Sequence, residues 1–124
     1  MEEKKKKILV CDDEQAINHA LRLKLGHEGF DVSSALDGDE CVAALNKDNY
    51  DLLLLDLILP KKDGFEVLAE MKNMAYKVPV VIVSNLGQEE DIARVKHLGV
   101  SDYLIKSNTS ISDMVAKVKE VLSK

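Results

Sequence analysis

The feature that most constrains this chain is an alternation that runs from end to end. Short apolar runs at Ile8–Cys11, Val32–Ala35, Leu52–Leu55, Val80–Val83 and Tyr103–Ile105 take turns with longer stretches whose apolar residues recur at steps of three and four. The runs mostly lack polar alternation, the pattern of strands buried on both faces. Between them, Ile17, Ala20, Leu21 and Leu25 mark a first helix, and Cys41, Val42 and Leu45 a second. Phe65, Leu68, Ala69 and Met71 mark a third, and Ile92, Val95 and Leu98 a fourth. Ile111, Met114, Val115, Val118, Val121 and Leu122 mark the last. Boundary signals agree. Asp37 with Glu40, and Asp63 with Glu66, have the spacing of an acidic N-cap with Glu three residues on. Gln88-Glu89-Glu90-Asp91 loads the start of the fourth helix with acids. Gly29 and Gly99 fall where the first and fourth helices should stop. The pattern predicts a doubly wound α/β sandwich with five parallel strands, (βα)₅. Right-handed crossovers leave strand order 2-1-3-4-5 as the expected topology, with its switch point between strands 1 and 3.

Composition narrows what such a sandwich can do. A chain of 124 residues with 46% hydrophobic content fits one domain with a real core. No apolar run approaches the roughly 18 residues a membrane helix needs, and no apolar stretch behind the N-terminus suggests a secretory signal. The run Glu2-Glu3-Lys4-Lys5-Lys6-Lys7 reads as a solvated end. Seventeen basic against 22 acidic residues give a net charge of −5, so direct nucleic-acid contact is not expected. Cys11 and Cys41, without a CxxC, suggest neither a disulfide scaffold nor zinc. Cys11 reads as an inert buried thiol, and nothing points to its pairing with Cys41. The expected compartment is the reducing cytoplasm. His19, His27 and His97 are scattered and read as surface residues.

Ligands in this architecture bind at the carboxyl ends of the strands. Strand 1 ends in Asp12-Asp13-Glu14, strand 3 in Asp56, strand 4 in Ser84-Asn85 and strand 5 in Lys106. These strands are contiguous in the expected order. Neighbouring strands lie about 4.8 Å apart, so Asp12, Asp13 and Asp56 should crowd within one ion's reach, and an extended Lys106 can approach Asp56. Converging carboxylates repel, which favours a divalent cation. Oxygen ligands suit Mg²⁺, with Mn²⁺ as the alternative. A lone buried Asp beside a cation and a lysine is chemically suited to act as a carboxylate nucleophile toward phosphorus.

The segments Ile8-Leu-Val-Cys-Asp-Asp-Glu14, Asp51-Leu-Leu-Leu-Leu-Asp-Leu-Ile-Leu-Pro-Lys-Lys-Asp-Gly64, Pro79-Val-Val-Ile-Val-Ser84 and Gly99-Val-Ser-Asp-Tyr-Leu-Ile-Lys106 closely resemble the receiver domain of two-component response regulators, of the chemotaxis-regulator type. The resemblance implies a flavodoxin-like fold over residues 1–124, with a core of about 6–122. It implies that Asp56 is the phospho-acceptor and that Asp12, Asp13, Asp56 and the Ile58 carbonyl hold Mg²⁺. Lys106 would pair with a phosphoryl oxygen, Ser84 would be the switch hydroxyl, and Tyr103 the aromatic switch. The implied donor is a histidine kinase or phosphotransfer protein. The output would pass through the face of helix 4, strand 5 and helix 5 to a downstream protein. The implied role is a signalling switch rather than a turnover enzyme on external substrates, with no membrane insertion and a monomeric unphosphorylated state.

Three departures from the family pattern involve four positions. Ser107 stands where Pro usually follows the lysine, Asn85 stands where a small residue is common, and Ile58 and Leu86 are apolar where polar groups can orient water. Two other readings fare worse. A Mg²⁺-dependent aspartyl phosphatase wants a second acid at position 58, and a flavin protein wants a hydroxyl-rich loop where Asp12-Asp13-Glu14 stands. The chain stops just after its fifth helix, and the expectation is a stand-alone regulator. An obligate dimer of the winged-helix type is not expected, since Lys117, Lys119 and Lys124 do not reproduce its arginine-rich pattern.

Overall fold

In the computed structural model the described residues are 4–124. The start of the charge run, including Glu2 and Glu3, lies outside them. Lys4, Lys5 and Lys6 are exposed, whereas Lys7 already belongs to the first strand and pairs with Asp48. The strands are β1 (Lys7–Cys11), β2 (Asp31–Ala35), β3 (Leu52–Leu55), β4 (Val80–Ser84) and β5 (Asp102–Ile105). The helices are α1 (Gln15–His27), α2 (Gly38–Lys47), α3 (Gly64–Asn73), α4 (Glu89–His97) and α5 (Ile111–Leu122), and a 3₁₀ turn at Lys106–Asn108 follows β5. All strand pairs are parallel and the order is β2-β1-β3-β4-β5, so the doubly wound, flavodoxin-like topology holds.

Each central strand feeds two cores. Ile8 and Val10 of β1, Leu52 and Leu54 of β3, and Val81 and Val83 of β4 pack with Leu21 and Leu25 of α1 and Met114, Val115 and Val118 of α5. The alternate residues Leu9, Cys11, Leu53, Leu55, Val80 and Ile82 pack with Cys41 and Leu45 of α2, Val67, Leu68 and Met71 of α3, and Val95 of α4. Residues along a strand point to opposite faces in turn, so a strand covered on both sides must be apolar throughout. The four fully buried leucines of β3 meet this demand, each contributing about 1.5–3 kcal/mol of burial.

Two of the five runs do not meet it. Asp31 and Ser34 of β2 are exposed, and all of β5 is half-buried. The expectation of strands buried on both faces is therefore corrected for these two. Both lie at sheet edges in the order 2-1-3-4-5, where water reaches one side.

The helix signals mostly hold. Asp63 and Glu66 form a complete capping box at α3. Asp37 caps α2 by accepting from the Glu40 amide, but the Glu40 side chain turns to the Leu36 amide instead of completing a box. Gly29 and Gly99 follow the C-caps of α1 and α4 with φ of 95° and 89°, a region open to glycine at little steric cost.

Candidate functional site

The strand register brings the polar strand ends together. Cys11 pairs with Leu55, so Asp12 and Asp56 leave the sheet side by side. Ser84 pairs with Ile105, so Lys106 leaves beside Ser84. Backbone bonds extend the sheet by one residue: the Asp12 amide donates to the Ala35 carbonyl at 3.1 Å and the Asp56 amide to the Cys11 carbonyl at 3.0 Å. Asn18 of α1 reinforces this edge, its amide nitrogen donating to the carbonyls of Asp12 and Ala35. Gly64 packs so closely that a Cβ there would lie 2.7 Å from the Asp56 carbonyl oxygen, which leaves no room for a side chain at the start of α3.

Lys106 is buried, and its Nζ lies 2.5 Å from Asp56 Oδ2, 2.9 Å from Asp12 Oδ2 and 3.0 Å from Glu14 Oε1. The remaining oxygens are held by backbone: Asp12 Oδ1 accepts from the Glu14 amide at 2.9 Å, and Asp56 Oδ1 from the Ile58 amide at 3.0 Å. Burial works against the charge of Lys106, yet its bonds to Asp56, Asp12 and Glu14 outweigh that and hold it above the ordinary lysine range. Burial likewise pushes the Asp12 carboxyl up from its ordinary value, against the lowering by Lys106 and the Glu14 amide.

Asp13 is exposed, and carboxylate oxygens of Asp12, Asp13 and Asp56 all lie within 4.8 Å of one another. With Glu14, four carboxylates face one ammonium. An all-oxygen donor set with excess negative charge fits a hard divalent cation such as Mg²⁺. Lys106 now occupies Oδ2 of both Asp12 and Asp56, so such an ion and the lysine share the same carboxylates. When bound, the ion supplies charge neutralisation at phosphoryl oxygens.

Ser84 is fully buried, its hydroxyl accepting from the Leu86 amide at 3.3 Å. The Tyr103 hydroxyl donates to the Leu86 carbonyl, linking β5 to the same loop. The Asn85 Oδ1 accepts from the Ser107 amide at 2.8 Å. Two departures from the family pattern thus meet in one bond. A proline at 107 would have no N–H to donate, and the N–H that serine supplies is satisfied by Asn85. The Ile58 side chain is 52% exposed.

The sequence reading left Glu14 without a role, and it missed the Asn85–Ser107 bond and the Asn18 clamp. Glu14 was within reach of inference as the third acid of its run. The other two depend on loops meeting across the fold. A groove of about 570 Å³ lies at the opposite ends of the strands, lined by Leu68, Met71, Tyr76, Val78, Val80 and Val100 among others, and contains none of the site residues.

The sequence profile described as the response regulator receiver domain matches residues 8–119, and the chain belongs to that family. It is 36% identical over 117 residues to the alkaline phosphatase synthesis transcriptional regulatory protein PhoP of Bacillus subtilis, covering 94% of this chain and 48% of that protein. The receiver domain of the Francisella response regulator 1452 matches with a TM-score of 0.86 and 32% identity, covering 95% of this chain and 97% of that one. A CheY-like receiver domain protein of Methanospirillum hungatei JF-1 matches with a TM-score of 0.90 and 27% identity, covering 97% of this chain and 95% of that one. The chain spans about half the length of the curated relatives it matches. The family's general role is a phosphorylation-controlled switch in two-component signalling, and its members generally bind Mg²⁺ at an acidic pocket. The curated relatives it matches are transcriptional regulators by name. Among the described residues no helix is long and apolar enough to cross a membrane.

Proposed function

We propose that Asp56 accepts a phosphoryl group from a histidine kinase or phosphotransfer protein, with Mg²⁺ held by Asp12, Asp13, Asp56 and the Ile58 carbonyl, in a single receiver unit with a core of about 6–122. The observation that carries this reading is the buried contact of Lys106 with Asp56 and Asp12 beside an exposed Asp13. Asp56 provides the nucleophilic oxygen. Lys106 is held at the distance of a charge-assisted bond from Asp56, and by exchanging one of its carboxylate partners for a phosphoryl oxygen it would stabilise that oxygen. Asp12 and Asp13 draw the cation that balances the incoming charge.

Ser84 and Tyr103 then carry the state outward. Both bond to Leu86, one at its amide and one at its carbonyl, so a movement of Ser84 toward the phosphoryl group would disturb the loop that Tyr103 holds. That supports the α4, β5 and α5 face as the output surface for a downstream protein. The half-length match to transcriptional regulators makes an output coupled to transcription a companion reading. Incubation with acetyl phosphate and Mg²⁺, read by intact mass, tests the proposal: the wild-type chain should gain one phosphoryl mass and Asp56→Asn none. Normal labelling of Asp56→Asn would overturn it.

A further inference from the structure

The phosphoryl chemistry leaves one pair of nucleophilic groups unused. Cys11 ends β1 and Cys41 lies in the first turn of α2, thirty positions apart in sequence. The structure puts their sulfurs in direct contact at 2.6 Å, a proximity their sequence positions do not suggest, and buries both to 1% exposure or less. Both are free thiols. No metal-ligand cluster among the described residues includes either, so metal binding does not explain the contact. Leu9, Ala35, Leu45 and Leu55 belong to the same core cluster.

We propose that Cys11 and Cys41 are a modification site at which a small hydroperoxide forms one disulfide, joining the end of β1 to the first turn of α2. The first sulfur attacks the outer peroxide oxygen. The O–O bond breaks, the departing oxygen leaves as water or an alcohol with the thiol proton, and a sulfenic acid remains. The second sulfur attacks that sulfenic sulfur, the S–O bond breaks, and the hydroxide leaves as water with the second thiol proton. Two thiols are oxidised and one peroxide is reduced by two electrons. The oxidant must be small and uncharged because neither sulfur is open to solvent. The second step is fast because the partner is already in contact, so the sulfenic acid does not accumulate.

The position gives the bond a consequence. The Cys11 carbonyl accepts the Asp56 amide, and Gly38, first residue of α2, donates to the Pro60 carbonyl in the β3–α3 loop. A Cys11–Cys41 bond would tie the strand beneath Asp56 to the helix that braces this loop.

The test treats the full chain with hydrogen peroxide, quenches with catalase, alkylates in denaturant and reads intact mass and peptide maps. The expected product has lost two hydrogens, takes up no alkylating agent and regains both thiols with dithiothreitol. In Cys41→Ser, or in Cys11→Ala should the first variant not fold, the remaining cysteine should gain oxygen and show no two-hydrogen loss. Two alkylatable thiols after treatment of the wild-type chain, oxygen added at either of its cysteines, or covalent dimers would each overturn the proposal.

Discussion

Lys106 is surrounded by Asp56, Asp12 and Glu14, and its removal shows what the cluster costs without it. Lys106→Met leaves two buried carboxylates uncompensated, which should cost about 3–5 kcal/mol near neutral pH. The sign with pH follows from the shifts. The folded lysine binds its proton more tightly than the unfolded one, so its contribution is complete below its ordinary 10.5 and is lost as pH rises through the higher folded value. In the variant the Asp12 carboxyl, already raised by burial, loses the lysine that lowers it, so folding is least penalised below its ordinary value of about 3.9. Urea melts should therefore show a wild-type to Lys106→Met gap that is widest near pH 7 and narrows toward pH 4. A gap independent of pH would mean the lysine contributes packing rather than charge.

Asn85 belongs to the same scale. Its bond to the Ser107 amide is exposed, so Asn85→Ala should cost no more than about 1 kcal/mol. Hydrogen exchange should nonetheless show the Ser107 amide exchanging faster in that variant, with Asn85→Asp restoring protection. Unchanged exchange at Ser107 in Asn85→Ala would remove the link between the Ser84 loop and the lysine turn.

At the scale of elements, α2 is fitted closely against the β3–α3 loop. A Cβ on Gly38 would fall into the Lys62 backbone, whereas one on Gly26 near the end of α1 would meet nothing. Gly38→Ala should therefore destabilise by about 1–3 kcal/mol or more, and Gly26→Ala should stabilise by about 0.5–1 kcal/mol. Chemical denaturation of the two variants checks the contrast, and equal effects would contradict the packing described. The elements also mark what the sequence could tell. The alternation of β1, α1, β3 and α3 is readable because β1 and β3 are unbroken apolar runs, α1 and α3 carry helical periodicity, Asp63 and Glu66 cap α3, and Gly29 follows α1. The half-exposure of β2 and β5 follows from their edge positions, which no single run reveals. Lys61 and Ala75 adopt positive φ of 67° and 54° without being glycine, so composition gives no warning of those turns. The strand-end acids and Lys106 were readable because parallel topology sends every strand end to one edge. The meeting of Cys11 with Cys41 was not, because it depends on where α2 settles over the sheet.

At the scale of the whole molecule the question is how far one phosphoryl group can move it. A hydrogen bond from Ser84 to a charged group is worth about 1.5–3 kcal/mol, while shifting a two-state equilibrium from 1:99 to 99:1 takes about 5.5 kcal/mol. Ser84 alone cannot complete the change, so Lys106, backbone contacts or a bound partner must supply the remainder. Ser84→Ala should still take phosphate at Asp56, and NMR should show smaller shift changes at α4 and Tyr103 together. A full-sized response at both would place the coupling elsewhere.

The proposed switch turns on Asp56 as the acceptor, and the most direct measurement identifies the phosphorylated residue itself. Borohydride reduces an aspartyl phosphate to homoserine, so the chain is treated with acetyl phosphate and Mg²⁺, reduced, digested and sequenced by tandem mass spectrometry. Homoserine at position 56 alone, dependent on Mg²⁺, is the expected result. Homoserine at Asp12, Asp13 or another acid, or none in a chain that has gained phosphoryl mass, would contradict it.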